Sequence, residues 1–260
     1  MLKKIDEITV GIVLPNYNSA QFFSETINSI LDQSFQNWYL IIVDDNSSSE
    51  NKEVLKKYSN HSKIKIIWLK KNKGPGFCRN IAMRYIKSDY IAFIDSDDIW
   101  YKDKLSKQLN FMLKNNFDFT YTNYLPFKTK NSQFDKHHYM KQVTPPKFFN
   151  FNAYIKNTSI STATMIIKSE TIGNTKFTNT KICEDYFFKC KILNKVEKAY
   201  CFSENLTKYR IRSNSLQSSK LKNFYWIWYI NKNYNRLSFF KNLLSLLYIS
   251  INSVKKYGFK

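Results

Sequence analysis

Acidic residues are scarce in this chain: 20 against 41 basic ones, for a formal net charge of +21. The last carboxylate side chain is Glu204. Everything beyond it is basic or neutral, with Lys208, Arg210, Arg212, Lys220, Lys222, Lys232, Arg236, Lys241, Lys255, Lys256 and Lys260. Such a balance favours polyanionic partners, namely nucleic acid, an anionic membrane surface or phosphorylated substrates. The four cysteines (Cys78, Cys183, Cys190, Cys201) form no Cys-x-x-Cys pair, and the three histidines (His61, His137, His138) lie far from them. That excludes a zinc pattern and a disulfide framework, and leaves reduced, buried thiols of a cytosolic protein. The first residues, Met1-Leu2-Lys3-Lys4-Ile5-Asp6-Glu7, lack the apolar segment of a signal peptide. No apolar run is long enough to span a bilayer, because residues 237–254 are broken by Lys241, Asn242 and Asn252. There is no internal repeat and no low-complexity linker. At 260 residues the chain can bury a substantial core, in one large domain or a domain with an appendage.

What is present is alternation. Apolar runs at residues 10–14, 39–43, 64–69 and 90–94 read as strands. Between them, Phe23, Ile27, Ile30 and Leu31 fall at helical spacing, residues 50–58 form a polar helix, and Gly74-Pro75-Gly76 opens a third helix along Cys78, Ile81, Ala82 and Tyr85. This order implies an α/β domain with a mostly parallel sheet flanked by helices. Further on, a helix is expected at 102–114, a strand at 117–121, loop-rich chain at 125–152, a returning strand at 162–167, and a helix beginning near Glu184-Asp185.

Three acids in four residues, Asp95-Ser96-Asp97-Asp98, end the fourth strand. Clustered carboxylates repel unless a cation neutralises them, and hard divalent cations prefer such oxygens together with phosphate. A solvated acidic turn is the plainer alternative. In parallel sheets, ligands bind beyond the carboxyl ends of the strands. Asn16-Tyr17-Asn18, Asp44-Asp45 and the acidic turn all fall there.

The first hundred residues resemble family 2 of the glycosyltransferases, enzymes of GT-A fold. The likeness rests on Val10-Gly11-Ile12-Val13-Leu14-Pro15-Asn16-Tyr17-Asn18, Ser29-Ile30-Leu31-Asp32-Gln33-Ser34-Phe35 and Ile42-Val43-Asp44-Asp45-Asn46-Ser47. It continues through Asn72-Lys73-Gly74 with Arg79-Asn80, and Asp95-Ser96-Asp97-Asp98 with Trp100. Glu184-Asp185 and Tyr209-Arg210…Ser215 extend it to about Gln217. The resemblance implies a GT-A domain at 1–217, with a nucleotide-sugar part at 1–124 and an acceptor part at 125–217. Residues 218–260 would then form basic, aromatic C-terminal helices. It implies that Pro15, Tyr17 and Asn18 line the nucleotide site and that Asp44 or Asp45 reads the base. Asn72 and Arg79 would hold the nucleoside, Asp95 with Ser96 would face ribose or sugar, and Asp97 would bind Mg²⁺ or Mn²⁺. Asp185 would be the catalytic base with Glu184 in support, although acids also suit an ordinary helix start. Arg210 and Arg212 would reach the diphosphate from a mobile segment, or form a solvated basic loop; the family often has His near Arg212.

The implied activity is inverting transfer of a hexose, with galactose favoured, from a UDP-sugar to a lipid-linked acceptor. The product would be a bacterial surface polysaccharide such as lipopolysaccharide O-antigen, outer core or capsule. For the tail, Phe240, Leu243, Leu244, Leu247 and Ile251 recur at helical spacing after Phe224, Tyr225, Trp226, Trp228 and Tyr229. Two readings stand: an amphipathic segment lying on the anionic inner face of the cell membrane, or a helical cover on the domain. A nucleic-acid-binding protein is the rival reading, but it leaves the acids at the strand ends unexplained. A nucleotidyltransferase would need a Gly-rich basic loop where Pro15-Asn16-Tyr17-Asn18-Ser19 stands.

Overall fold

The computed structural model describes residues 4–129, 137–212 and 220–257. The four apolar runs form β1 (Val10–Asn16), β2 (Trp38–Asp44), β3 (Ile64–Trp68) and β4 (Tyr90–Phe93), in the spatial order β3-β2-β1-β4 and all parallel. The crossovers are α1 (Ala20–Leu31), α2 (Ser49–Lys56) and α3 (Pro75–Arg84). Proline at the first position of α3 costs no hydrogen bond, and Gly74 before it takes φ 87, a conformation open to glycine.

Past β4 the sheet becomes mixed. After β5 (Ile99–Trp100) and α4 (Lys104–Asn115) comes β6 (Phe119–Thr129), then β7 (His137–Tyr139), β8 (Phe148–Phe149), α5 (Phe151–Tyr154), β9 (Ile166–Lys168), α6 (Ser169–Ile172), α7 (Glu184–Leu193) and β10 (Ala199–Arg210). The path continues β4-β9-β6-β10-β5. β9 is antiparallel to both neighbours, while β6 and β10 run parallel. Two helices follow, α8 (Lys220–Asn233) and α9 (Phe239–Tyr257). The expected domain boundary at 217 lies outside the described residues, as do Met1, Leu2, Lys3 and Ser215.

Side chains alternate along each strand, so each face has its own core. Val10, Ile12 and Leu14 pack under α1, α2 and α4 with Phe23, Ile27, Leu55, Leu109 and Met112. Val13, Val43, Ile91 and Phe93 pack on the opposite face with Cys78 and Ala82 of α3, Phe188 and Ile192 of α7, and Ile230 of α8.

Three expectations shift. The strand expected at 117–121 runs on to Thr129, through chain read as loop. The returning strand is shorter, because residues Thr162–Thr164 form a 3-10 turn and only Ile166–Lys168 pairs. β10 was not anticipated.

α4 buries a lysine at its first residue. The Lys104 ammonium donates to Gln108 Oε1 at 2.8 Å and lies 4.6 Å from the Trp100 ring centre. Burial pushes it down to about 7 from an ordinary 10.5. Between these values the unfolded chain binds more protons than the folded one, so stability rises with pH across that window. We expect Lys104→Met to melt at or above the wild-type temperature at pH 7, with the difference narrowing towards pH 10. Melting curves at several pH values check this.

Candidate active site

β1, β2 and β4 end at one edge, and hydrogen bonds tie the loops beyond them together. Asn16 Nδ2 donates to Asp44 at 2.8 Å and to Ser47 at 3.3 Å, and Ser47 donates to Asp44 in turn. Asp44 is fully buried by this network. Asp45 accepts the backbone N–H groups of Lys73 and Gly74, both at 2.7 Å, which fixes the loop before α3. Ser19 Oγ donates to Ser96 Oγ at 2.7 Å and draws the start of α1 to the acidic turn.

These loops surround a cavity of about 920 Å³. Of the residues expected at the site, Pro15, Tyr17, Asn18, Asp45, Asn72 and Arg79 line it. So do Asp95, Ser96, Asp97, Glu184, Arg210 and Arg212. Asp44 and Asp185 are not among the lining residues. Of the alternatives for the base reader, only Asp45 faces the cavity.

Arg79 joins the two acidic walls. From inside the protein its Nη2 donates to Asp95 Oδ1 at 2.6 Å and its Nη1 to Glu184 Oε1 at 2.8 Å. Burial raises the Glu184 carboxyl, which Arg79 only partly offsets. α3 comes so close here that a Cβ on Gly76 would lie 2.7 Å from Glu184 Cγ and 3.0 Å from the Thr178 carbonyl. Glycine is therefore required by close approach. Immediately before Glu184, Cys183 takes the left-handed conformation with φ 62. For a non-glycine residue this costs about 1–2 kcal/mol. The kink starts α7 with Glu184 on the cavity wall.

Asp185 is held elsewhere. Its Oδ2 accepts from the buried Lys189 ammonium at 2.8 Å and from Thr162 Oγ1 at 3.2 Å. Burial alone would raise this carboxyl, but Lys189 outweighs it and brings Asp185 down to about 2. Lys189 also donates to the Ile160 carbonyl at 2.9 Å. Lys189 and Thr162 escaped the sequence reading, although Lys189 stands four residues after Asp185, the spacing of a helical ion pair.

The basic residues after Tyr209 divide. Arg210 ends β10 and is locked in place. Its Nε donates to the Asp97 carbonyl at 2.8 Å, its other nitrogens meet Glu25 and Thr129, and Phe22 and Phe127 sandwich it at 4.4 Å each. Its backbone N–H donates to Asp98 Oδ1 at 2.8 Å. Asp98 Oδ2 has no hydrogen-bond partner among the described residues. Burial, with Asp97 and Asp95 nearby, pushes Asp98 well above the usual carboxylate range. Arg212 is half-open to solvent and reaches Asp97 Oδ2 at 3.3 Å. Burial and the charge of Asp95 raise Asp97 even so.

Asp95 and Asp97 are hard oxygen donors, the type that Mg²⁺ and Mn²⁺ take. A cation would relieve the repulsion that raises Asp97, so the residues fit such an ion. Among the described residues no three or more His, Cys, Asp or Glu side chains are grouped to hold one. An ion at Asp97 would complete its shell from substrate oxygens and water.

The model of the family described as "Glycosyl transferase family 2" matches residues 11–187. The chain belongs to this family. TuaG of Bacillus subtilis (strain 168), a glycosyltransferase assigned to teichuronic acid biosynthesis, is 33% identical over 248 residues, covering 95% of this chain and 96% of its own. WfgD of Escherichia coli, named a UDP-Glc:alpha-D-GlcNAc-diphosphoundecaprenol beta-1,3-glucosyltransferase, is 31% identical over 261 residues, 98% of this chain and 97% of its own. Among solved structures, S. aureus TarS 1-349 in complex with UDP-GlcNAc superposes with a TM-score of 0.71 at 21% identity, over 95% of this chain and 73% of that one. The fold is thus that of the GT-A glycosyltransferases.

The Asp185–Lys189 pair has a pH signature. A carboxyl held at about 2 stabilises the fold above its unfolded value of about 3.9, and that contribution is lost as pH falls towards 2. Lys189→Met should therefore raise the Asp185 pKa and lower stability at pH 7. Carboxyl-carbon NMR titration and melting curves from pH 2 to 7 check both.

Proposed function

We propose that this family 2 glycosyltransferase is a metal-dependent, inverting hexosyltransferase. It would carry a hexose from a UDP-sugar to a hydroxyl of a lipid-linked bacterial surface glycan. The observation that carries this reading is the opposition, across one cavity, of the Asp95–Asp97 turn and Glu184 at the start of α7, with Arg79 bonded to both sides and Asp185 next in the chain. Tyr17, Asn18, Asp45 and Asn72 bind the nucleotide, and Asp95 and Ser96 meet the ribose or sugar. Asp97 takes the metal. Bound there, Mg²⁺ or Mn²⁺ supplies Lewis-acid stabilisation of charge on the leaving diphosphate. Arg212, the more open of the two arginines, turns from Asp97 to the diphosphate; Arg210 holds the acidic turn in place.

Asp185 serves as the base. An alcohol attacks poorly while it keeps its proton, so the acceptor hydroxyl passes its proton to Asp185 as its oxygen bonds the anomeric carbon. The bond from that carbon to the diphosphate oxygen breaks on the opposite face, which inverts the centre. The hydroxyl must first replace Lys189 or Thr162 as a partner of Asp185, since a carboxyl held at about 2 is a weak base. Galactose, glucose and an N-acetylhexosamine are the candidate sugars, and glucose is the one in the printed names of two E. coli relatives.

Thermal shift with a panel of nucleotide sugars, with and without Mn²⁺, tests the class. Stabilisation by one UDP-sugar only with metal is expected, and a shift with oligonucleotide alone overturns the reading. Asp97→Ala should abolish the metal-dependent shift. Asp185→Asn should keep the shift and lower kcat by about 10²–10⁴-fold, the usual worth of a general base.

The tail supports attachment to the inner face of the cell membrane. α9 buries Asn242 and Ser245 along with Ile249, while Phe239, Phe240, Leu243, Leu244, Leu247 and Ile251 are exposed. Asn231 Nδ2 donates to both buried groups at 3.1 Å. No described helix is long and apolar enough to cross a membrane; the exposed apolar face suits a helix that lies along a membrane surface. Leu243→Ser with Leu247→Ser should weaken flotation with anionic vesicles about tenfold or more, from two lost apolar anchors, at an unchanged melting temperature.

A further inference from the structure

A second cavity of about 910 Å³ adjoins the first, and Asn179 and Thr180 line both. Its walls carry Arg84 of α3, Lys176 of the preceding loop, and Lys191 and Lys195 of α7 and its end. No carboxylate lines it, and none of the four cations is paired with one among the described residues. Lys195 donates instead to the carbonyls of Thr171 and Ile172, at 3.1 and 2.8 Å. Aromatic rings also line it, among them Phe187 from α7 and Trp226 and Tyr229 from α8, with polar residues such as Asn80 and Thr178 between.

We propose that this cavity holds the diphosphate of the lipid-linked acceptor. The inference rests on the glycosyl-transfer reading above and names where the second substrate sits. Four cations without a carboxylate partner around one hollow repel each other, and a multiply charged anion relieves that repulsion. The aromatic wall selects an anion that carries apolar chain. Continuity sets the order of parts. α7 begins at the acid pair, and Lys191 lies seven residues further on, about 10 Å along the helix axis. A sugar lying across Asn179 and Thr180 thus reaches the acids at one end and leaves its diphosphate among the lysines at the other. From there α8 leads into the helix pair whose outer face is apolar, where the lipid leaves the protein. The printed acceptor of the E. coli relatives, a sugar on diphosphoundecaprenol, has these three parts in this order.

The test is calorimetric titration of the full chain, saturated with UDP, using dodecyl diphosphate below its aggregation concentration. Binding is expected. Arg84→Ser with Lys191→Ser should weaken it about tenfold or more, the loss expected for a charge-assisted contact, while UDP affinity is retained. Lys191→Arg should bind like wild type, and Lys176→Ser offers a loop variant if the double variant melts early. Equal affinity in wild type and the serine variants overturns the proposal, as does competition between dodecyl diphosphate and UDP. Inorganic pyrophosphate binding as tightly shows that the aromatic wall plays no part and overturns the lipid assignment. An oligonucleotide that displaces the probe overturns it too. If UDP fails to bind while the titration without it shows the serine-sensitive site, the donor reading fails and this cavity's preference for alkyl diphosphate stands.

Discussion

The site depends on one buried guanidinium. Arg79 reaches Asp95 on one side and Glu184, 105 positions further along the chain than itself, on the other. Burial alone would loosen the hold on its proton, but the neighbouring carboxylates more than compensate and hold the charge more firmly than usual. A guanidinium suits this task because it is planar, holds its charge and presents several donors in fixed directions. Loss of Arg79 would leave the Glu184 carboxylate buried without its partner, at a cost of about 3–5 kcal/mol. The acidic turn after β4 and the start of α7 are therefore positioned together. Gly76, one helical turn before Arg79, makes this possible by letting α3 approach Glu184 without a side chain between them.

A second constraint is the division of labour among neighbouring residues of the same type. In two of three pairs one member lines the cavity and the other lies behind it, Asp45 before Asp44 and Glu184 before Asp185; in the third, Arg212 and Arg210 both line it, but only Arg210 is locked by protein partners. Arg210 makes the point most clearly. It lies among the cavity residues, yet every nitrogen of its guanidinium has a partner in the protein. It cannot also grip a diphosphate without releasing the turn that carries Asp97. Motif resemblance places both members of each pair at the site, and only the hydrogen bonds separate their roles.

The parallel half of the sheet was legible because each strand is an apolar run that stops at a polar cluster, as in residues 90–94 before Asp95. The other half was not, for two physical reasons. β6 buries polar side chains, Thr120, Thr122 and Asn123: Gln108 of α4 donates to Thr120, Thr122 donates to the Asn123 carbonyl, and Cys201 of β10 donates to Asn123. Its pattern therefore looks like loop, and Pro126 strengthens that impression. β10 is interrupted by Ser203, Glu204 and Asn205, where its pairing with β6 shifts register, so neither alternation nor an apolar run survives. At the site, the strand-end motifs marked most of the cavity. The wall at residues 179–182 carries no motif and comes from tertiary packing alone. Lys189 had a signal in its spacing from Asp185, but a lysine inside a helix usually reads as surface.

The two features that composition could not separate, many cations and many aromatics, have separate places in the fold. Acids gather at the strand ends, where arginines neutralise them. The unpaired lysines gather one wall away, beside α8. The apolar residues of α9 lie further out, on a helix that docks by its asparagine and serine. A helix normally buries its apolar stripe, because that is where packing gains most. Along its inner side α9 packs through Asn242 and Ser245, joined to Asn231 and the Ile155 carbonyl, beside the buried Ile249 and the partly buried Leu246. Polar docking at those two positions leaves most of the helix's large apolar side chains on the outside. That exposed face is the feature on which the proposed attachment to a lipid surface rests.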